Sequence, residues 1–519
     1  MRLRAASILT CLATITALVC GGCNALGKPD DPAFVHRPEA LLITDVTLIS
    51  PELPEPLADA WVGVQGDRIT HVGTGEPPAE TRDWERLSGQ GGYLIPGLID
   101  AHVHLGSVPG MSWDLAQKNE KLAASYFAQL PRSYLYYGFT TLVDLAPQAP
   151  AELDEIRRQV PAPEILSCGR PAPIANGYPM VFVPEKFRFR AYGNFLFDPT
   201  QAAAIPKSIS PWDHTPEAVA QRALADGGIC LKTFVEDGFG PAKIWPVPSL
   251  GLLRELGQAS AAAGLLLAVH ANSLDAYTAA LDSGAVADGA GVLVHGLWTW
   301  DRAQPQDDGQ TLPPALSEIV TRLVDSRTLV MPTLQVLAGD RALFDPEFLN
   351  DPELGNVVPP ELLAWYRSEA GGWFARQMLS DLPPELATSE GAYELNSRAL
   401  ARGERVAQAL IERGGRVIFG SDTPSGPSYG NLPGYNGFLE LQRLAAIGMP
   451  LDRLLAAATL DSARALGLAN RLGSVEVGKS ANLLLLRSDP LASPLAYGEL
   501  ETVILRGAII ERAALAAHR

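Results

Sequence analysis

The strongest constraint on this 519-residue chain is a rhythm that begins near Leu94. Short apolar runs alternate with longer stretches whose apolar residues recur at helical spacing. That is the pattern of strands buried on both faces and joined by crossover helices. The runs fall at residues 95–103, 140–145, 164–168, 229–235, 265–270, 291–295, 329–333 and 417–420. Helical texture lies between most of them, for example at 217–225, 250–263, 274–283 and 404–413. Eight such strands predict an α/β chain folded as a (β/α)8 TIM barrel. Two insertions, 171–216 and 304–312, leave strands three and six at their C-terminal ends, where barrels build pockets. Residues 344–402 are expected to hold two or more helices placed over the mouth.

The flanks have a different texture. Residues 40–50 and 60–72 read as strands, the second stretch turning at Gly66-Asp67 as a hairpin. After helical stretches at 439–446, 451–457 and 462–466, residues 473–486 and 503–511 return to β character with no nearby partner. The simplest arrangement is a small composite β-sandwich domain built from both chain ends. The division that follows is 1–26 leader, 27–39 tether, 40–93 and 471–519 composite β domain, and 94–470 barrel.

The leader carries Arg2 and Arg4, an apolar stretch at 8–19, and then Gly21-Gly22-Cys23. Small residues before a cysteine resemble a bacterial lipoprotein cleavage box, which makes Cys23 the lipidated residue. The expectation is an exported protein, a periplasmic or cell-envelope lipoprotein of a bacterium. A plain secretory signal and an uncleaved anchor are the alternatives. Formal charge is −17, which argues against nucleic acid and against an anionic membrane surface as partners. Membrane contact is then expected only through the lipid, and a homo-oligomer is left open. Three of the five cysteines lie in the leader. Cys168 and Cys230, in strand-like stretches, read as separate buried thiols, with a bridge between them left open.

Chemistry-bearing side chains gather at strand ends. His102 and His104 close the first strand at i and i+2, which puts both imidazoles on one face. Lys232 lies in strand four, His270 ends strand five, His295 ends strand six, and Asp422 follows strand eight. In a barrel these ends converge on one mouth, so the groups meet without being neighbours in sequence. Neutral imidazoles with a carboxylate suit a divalent ion such as Zn2+.

These residues sit in stretches that resemble metal-dependent amidohydrolases, in the branch related to imidazolonepropionases and Xaa-Pro dipeptidases. Pro96-Gly-Leu-Ile-Asp-Ala-His-Val-His104 resembles the first-strand signature of that superfamily, and Tyr137-Gly-Phe-Thr-Thr-Leu-Val-Asp-Leu145 its second strand. Val294-His-Gly, Met331-Pro-Thr-Leu, Phe419-Gly-Ser-Asp and Leu472-Gly-Ser-Val-Glu-Val-Gly-Lys-Ser-Ala continue the match in order. The resemblance implies two divalent metal ions, most simply Zn2+. His102 and His104 would hold the buried ion, and His270 and His295 the more exposed one. Lys232 would bridge them as a CO2-derived carbamate; Glu236 is the alternative bridge. Asp422 would bind the first ion and move the proton of the attacking water. Three positions depart from the pattern: Asn272 after His270-Ala, Ala175-Asn-Gly-Tyr-Pro after strand three, and Asn482 after Ala481. The first two fall where substrate is handled.

The pocket is expected to draw on 175–179, 236–243, 297–302 and 425–435. These supply Tyr178, Phe239, Lys243, Trp298, Trp300, Arg302 and Tyr429, with Arg170 near a substrate carboxylate. Such a lining suits a small-molecule substrate: an aromatic or acylated amino-acid amide, or a dipeptide. The leading reading is hydrolysis of an amide, cyclic amide or dipeptide C–N bond by a metal-activated hydroxide. Ester, lactone or phosphotriester hydrolysis on the same site is the second reading, and a lipid-anchored, non-catalytic binding protein the third.

Overall fold

The computed structural model describes residues 35–147, 151–239, 244–300 and 311–517. The leader with Cys23, the start of the tether, Lys243, Arg302 and nearly all of the 304–312 loop lie outside the described residues.

Pro96-Gly97 divides what the sequence reads as one strand. The proline has no N–H for a ladder. The Gly97 backbone runs so close to Thr140 that an added Cβ would lie 2.1 Å from its hydroxyl. Gly97 instead donates its N–H to the Asn482 carbonyl at 2.8 Å. The chain changes sheets here. In order, the flanking strands are β1 (Ala40–Leu48), β2 (Leu57–Gln65), β3 (Arg68–Thr74) and β4 (Glu85–Pro96). Eight short strands follow: β5 (Leu98–Val103), β6 (Phe139–Asp144), β7 (Glu164–Ser167), β8 (Cys230–Phe234), β9 (Leu266–His270), β10 (Gly291–Val294), β11 (Leu329–Met331) and β12 (Arg416–Val417). The last three are β13 (Leu483–Leu486), β14 (Leu500–Leu505) and β15 (Ala508–Glu511).

The flanking strands form one seven-stranded sheet, ordered β15-β14-β13-β4-β1-β2-β3. β4 pairs parallel with β1 and antiparallel with β13, so both chain ends are woven through it. The sheet curls until β3 meets residues 478–481: Ile69 donates to Lys479 O, and Gly478 and Ala481 donate to Ile69 O and Asp67 O. Its concave side encloses an apolar cluster that includes Leu41, Ile43, Val62, Leu94, Leu483 and Ile504.

The eight central strands form two parallel sheets, β12-β11-β10-β9-β8 and β5-β6-β7. Hydrogen bonds cross both gaps between them. Ile229 donates to Ser167 O and Ala172 to Lys232 O on the β7–β8 side; Ala101 donates to Phe419 O and His104 to Thr423 O on the other. The β7–β8 side also carries a disulfide, Cys168–Cys230, where two separate thiols were expected. Both cysteines are fully buried in a cluster with Ala101, Ala268, Val294 and Met331. The opposite strand faces pack against helices, as side-chain alternation requires. Helices at Pro216–Ala225, Leu250–Ala262 and Leu274–Ser283 match the sequence reading within a residue. Residues 344–402 hold helices Leu354–Val357, Pro360–Tyr366 and Trp373–Asp381 and much of Ser389–Glu412. Tyr366 and Trp373 of that segment hydrogen-bond to the carbonyls of Pro109 and Gly110, on the loop after β5. Among the described residues no helix is long and apolar enough to cross a membrane.

Candidate metal centre

At the end of β5 the ladder to β6 shifts register between Asp100 and Val103. That irregularity, with the His102–Asp422 backbone contact, turns the two imidazoles toward the interior. Asp422 donates its N–H to His102 O at 2.7 Å, so the loop after β12 is fastened to β5 by main chain. The side chains then converge. His102 Nε2 and His104 Nε2 each lie 2.9 Å from Asp422 Oδ1 and 3.2 Å from one another. His102, His104 and Asp422 thus place one nitrogen or oxygen ligand atom each within 4.8 Å of the other two. His295 brings Nδ1 to 3.7 Å from Asp422 Oδ2.

His295 and His270 form the far side, with ring centroids 4.5 Å apart. His295 Nδ1 lies 2.9 Å from the Thr333 hydroxyl, and its own carbonyl accepts from Tyr277 at 2.7 Å. His270 Nε2 lies 3.4 Å from Glu236 Oε2, which also accepts from Asn272 Nδ2 at 2.9 Å. Asn272, a departure from the family pattern, therefore orients a carboxylate at the centre. Its carbonyl also accepts from Trp298 and Thr299, placing the Trp298 ring 5.7 Å from that of His295. Lys232 shares the inner face of β8 with Cys230 and is 1% exposed, and its ammonium nitrogen has no hydrogen-bond partner.

Burial sets most of the protonation preferences. It drives His102 down to about 3 against the pull of Asp422, and lowers His270 and His295 as well. These three imidazoles are held neutral, the ligating form. For His104 burial acts the same way, but Asp422 outweighs it and the imidazole is raised. Burial also opposes the charge of Asp422, yet His102, His104 and His295 overcome it and hold the carboxyl well below its usual range. Lys232 is lowered to about 7 by burial, only partly offset by Asp422. About half of such amines are neutral at pH 7, and the neutral form is a nucleophile toward CO2. The carbamate formed would give this orphaned nitrogen charged oxygens and the far side an anionic ligand.

The backbone is strained at the same points. His295, Thr333 and Asp422 have φ of 85°, 45° and 56°, a left-handed conformation that side chains, β-branched ones above all, adopt at a cost of about 1–3 kcal/mol each. The ladder and the loop contacts hold them there, and the strain aims the ligands.

The remaining residues read from the sequence fall elsewhere or in part. Tyr178 packs its ring 4.9 Å from that of His270 and borders the centre. Arg170 turns to Asp226 in a bidentate pair at 2.8 and 2.9 Å, so its charge is neutralised in the scaffold. Tyr429 is buried and stacks on Tyr366 at 5.3 Å, packing beneath the 344–402 segment. Trp300 is also buried, its indole donating to Leu297 O. Three supporting groups escaped the sequence reading. Asp100 accepts from the N–H groups of His102 and Ser421, Thr333 holds His295, and Glu440 accepts from Leu334 and Gln335 just past Thr333. Asp100 and Thr333 had a signal: both lie in stretches that resemble the family, Asp100 two residues before His102.

Comparison with known proteins follows this geometry. Residues 373–510, which include Asp422, match the amidohydrolase family model. Over 65 residues the chain is 40% identical to the imidazolonepropionase of Alkaliphilus oremlandii (12% of this chain, 15% of that one). Over 238 residues it is 24% identical to the imidazolonepropionase of Stenotrophomonas maltophilia (42% of this chain, 54% of that one). The chain thus spans between about a seventh and about half of these relatives' length. In structure it is similar to a Xaa-Pro dipeptidase with methionine bound in its active site, at a TM-score of 0.58 and 18% identity, covering 91% of this chain and all of the other. The amidohydrolase reading of the strand-end motifs is supported by the family match over 373–510 and by the imidazolonepropionase matches, and the similarity to the dipeptidase structure extends to the fold.

Proposed function

We propose that this chain is a metal-dependent hydrolase that cleaves an amide, cyclic amide or dipeptide C–N bond. The observation that carries the reading is the meeting of His102, His104, Asp422, His270 and His295 around a buried lysine with no partner. Residues from five separate strand ends have no packing reason to converge as polar groups; a shared ligand supplies one. The two parallel sheets, bridged at both gaps, form a closed (β/α)8 barrel in this reading. Residues 98–470 make up the barrel, and the curled sheet, which takes in 94–96 as well as the expected 40–93 and the strands after 471, is its composite β companion.

His102, His104 and Asp422 would hold one divalent ion, His270 and His295 a second, and carbamylated Lys232 would bridge them, Zn2+ being the ion that suits these donors best. Bound there, such ions would supply an activated water and an electrophile for the amide carbonyl. The chain's own part is positioning and proton transfer. Asp422, kept ionised by the surrounding imidazoles, takes the proton of the attacking water and delivers it to the leaving nitrogen. Glu236 and Asn272 fix His270, and Thr333 fixes His295.

The test is metal content of the chain lacking residues 1–26, measured with turnover of matched amides and esters of one acyl group. About two ions per chain, amide cleavage, and loss of cleavage on chelation are the expected results. Ester cleavage alone would move the reading to the esterase class; no retained metal after growth with zinc would overturn it. The same reading places the protein in the bacterial envelope, anchored through Cys23. The Cys168–Cys230 bond supports export, because such bridges persist in oxidising compartments. Release of a Cys23→Ser variant from membranes checks the anchor.

A further inference from the structure

Beside the metal centre lies a group of aromatic side chains that no catalytic step uses. Tyr178 neighbours the His270 ring and Phe234 of β8, and packs against three further rings from the loops. These are Phe182, Phe239 and Trp245, at centroid distances of 5.8, 5.5 and 6.0 Å. The four come from two insertions after β7 and β8, so two separate loops build one surface. Tyr178 and Trp245 are nearly parallel (21°), as are Phe182 and Phe239 (16°), and each pair stands edge-on to the other at 79–88°.

Such edge-to-face order is what aromatic quadrupoles favour. Its exposure is not what burial favours. Phe182 and Phe239 are 58% and 64% exposed, and Ile244 beside them 62%. Large apolar groups left in water next to a polar centre mark a binding surface. The spacing also says what kind. A guest between two parallel faces needs about 7 Å, twice a carbon–carbon contact. The parallel rings here are 6.0 and 6.3 Å apart, so the cluster is closed and cannot cage a cation. Glu236, beside His270, already accepts from Asn272 and Gly238, and Arg188 is turned onto the carbonyls of Val181 and Val183. What remains facing outward is an aromatic shelf.

We propose that Tyr178, Phe182, Phe239 and Trp245 form a specificity shelf that receives a planar, uncharged aromatic substituent of the amide substrate. Tyr178 lies between His270 and the other three rings, so the substituent reaches the shelf about one ring's width from the scissile bond. The location of that bond rests on the hydrolase reading; the shelf itself does not.

The test titrates the zinc-loaded chain with two metal-chelating probes, acetohydroxamic and phenylacetohydroxamic acid, by calorimetry. The phenyl compound should bind at least about tenfold more tightly, the gain expected of one well-packed ring. In a Phe182→Ala/Phe239→Ala variant that ratio should fall to within about twofold of one, and unchanged far-ultraviolet circular dichroism would show that it is folded. Equal binding of both probes by the parent would overturn the shelf and leave the hydrolase standing. A preference that survives in the variant would overturn it too, by assigning the ring to another surface. Binding of neither probe would overturn the metal-dependent reading itself.

Discussion

The two halves of the metal centre are built differently. The β5 half is finished: His102, His104 and Asp422 already hydrogen-bond to one another, and main-chain bonds tie Asp422 to His102. The far half is provisional: His270 leans on Glu236, His295 on Thr333, and Lys232 on nothing. The first half is pre-organised by the fold, whereas the second, in the proposed reading, is completed only by carbamylation of Lys232. A centre of this kind should gain and lose its two ions unequally.

The sharpest way to break the comparison is Asp422→Asn, which keeps shape and removes the charge that organises the first half. Turnover should fall about 100- to 10,000-fold, the range for a removed acid–base group. Metal analysis of the same variant should show the first ion weakened with the second. Lys232→Ala should instead take bound metal from two ions per chain to one. Two ions retained would mean that Glu236, not the lysine, completes the far half.

Next in size is the bridge beneath Lys232. Cys168→Ala/Cys230→Ala opens a link across 62 residues, worth about 4 kcal/mol by loop-closure entropy and read from urea unfolding. The far-half ion should be lost first as that variant is titrated with chelator. Glu440 gives a pH test. Burial raises its carboxyl from 4.5 to about 7 despite two backbone N–H donors. The folded chain therefore holds that proton more tightly than the unfolded one. Its stabilising contribution is full below pH 4.5 and is lost as pH rises through 7, a span of about 3 kcal/mol. Glu440→Gln should flatten the fall in stability between pH 4.5 and 7; an unchanged slope would mean that Glu440 stays ionised. The smallest effect is expected from Thr333→Val, about tenfold in affinity for the far-half ion, since only the orientation of His295 is lost.

Much of this architecture could be read from the sequence because its signals are local. Each of the eight strands at the centre announces itself as an apolar run, and the sequence-read ligands sit in such runs or close after them. The resemblance to known amidohydrolases depends on those same short stretches. What could not be read depends on distant partners. Whether Arg170 pairs with substrate or within the scaffold was open, because its partner Asp226 is 56 residues away. The Cys168–Cys230 bond required knowing that β7 and β8 run side by side. Thr333 and Glu440 act through other residues, and neither the Met331-Pro-Thr-Leu stretch nor the surroundings of Glu440 say which. The break at Pro96-Gly97 was visible as residues, but the change of sheet it produces was not. Only the approach of Thr140 and the pairing of β4 with β13 reveal that.

That pairing has a consequence for how the chain is made. β4 is among the first strands to emerge from the ribosome and β13 among the last. Until β13 arrives, β4 carries an open edge of N–H and C=O groups beside the apolar residues Leu94 and Ile95. Exposed edges of that kind recruit other chains. The sheet therefore works as a check on completeness: a chain interrupted before β13 exposes a sticky edge for chaperones and proteases, and a finished chain hides it.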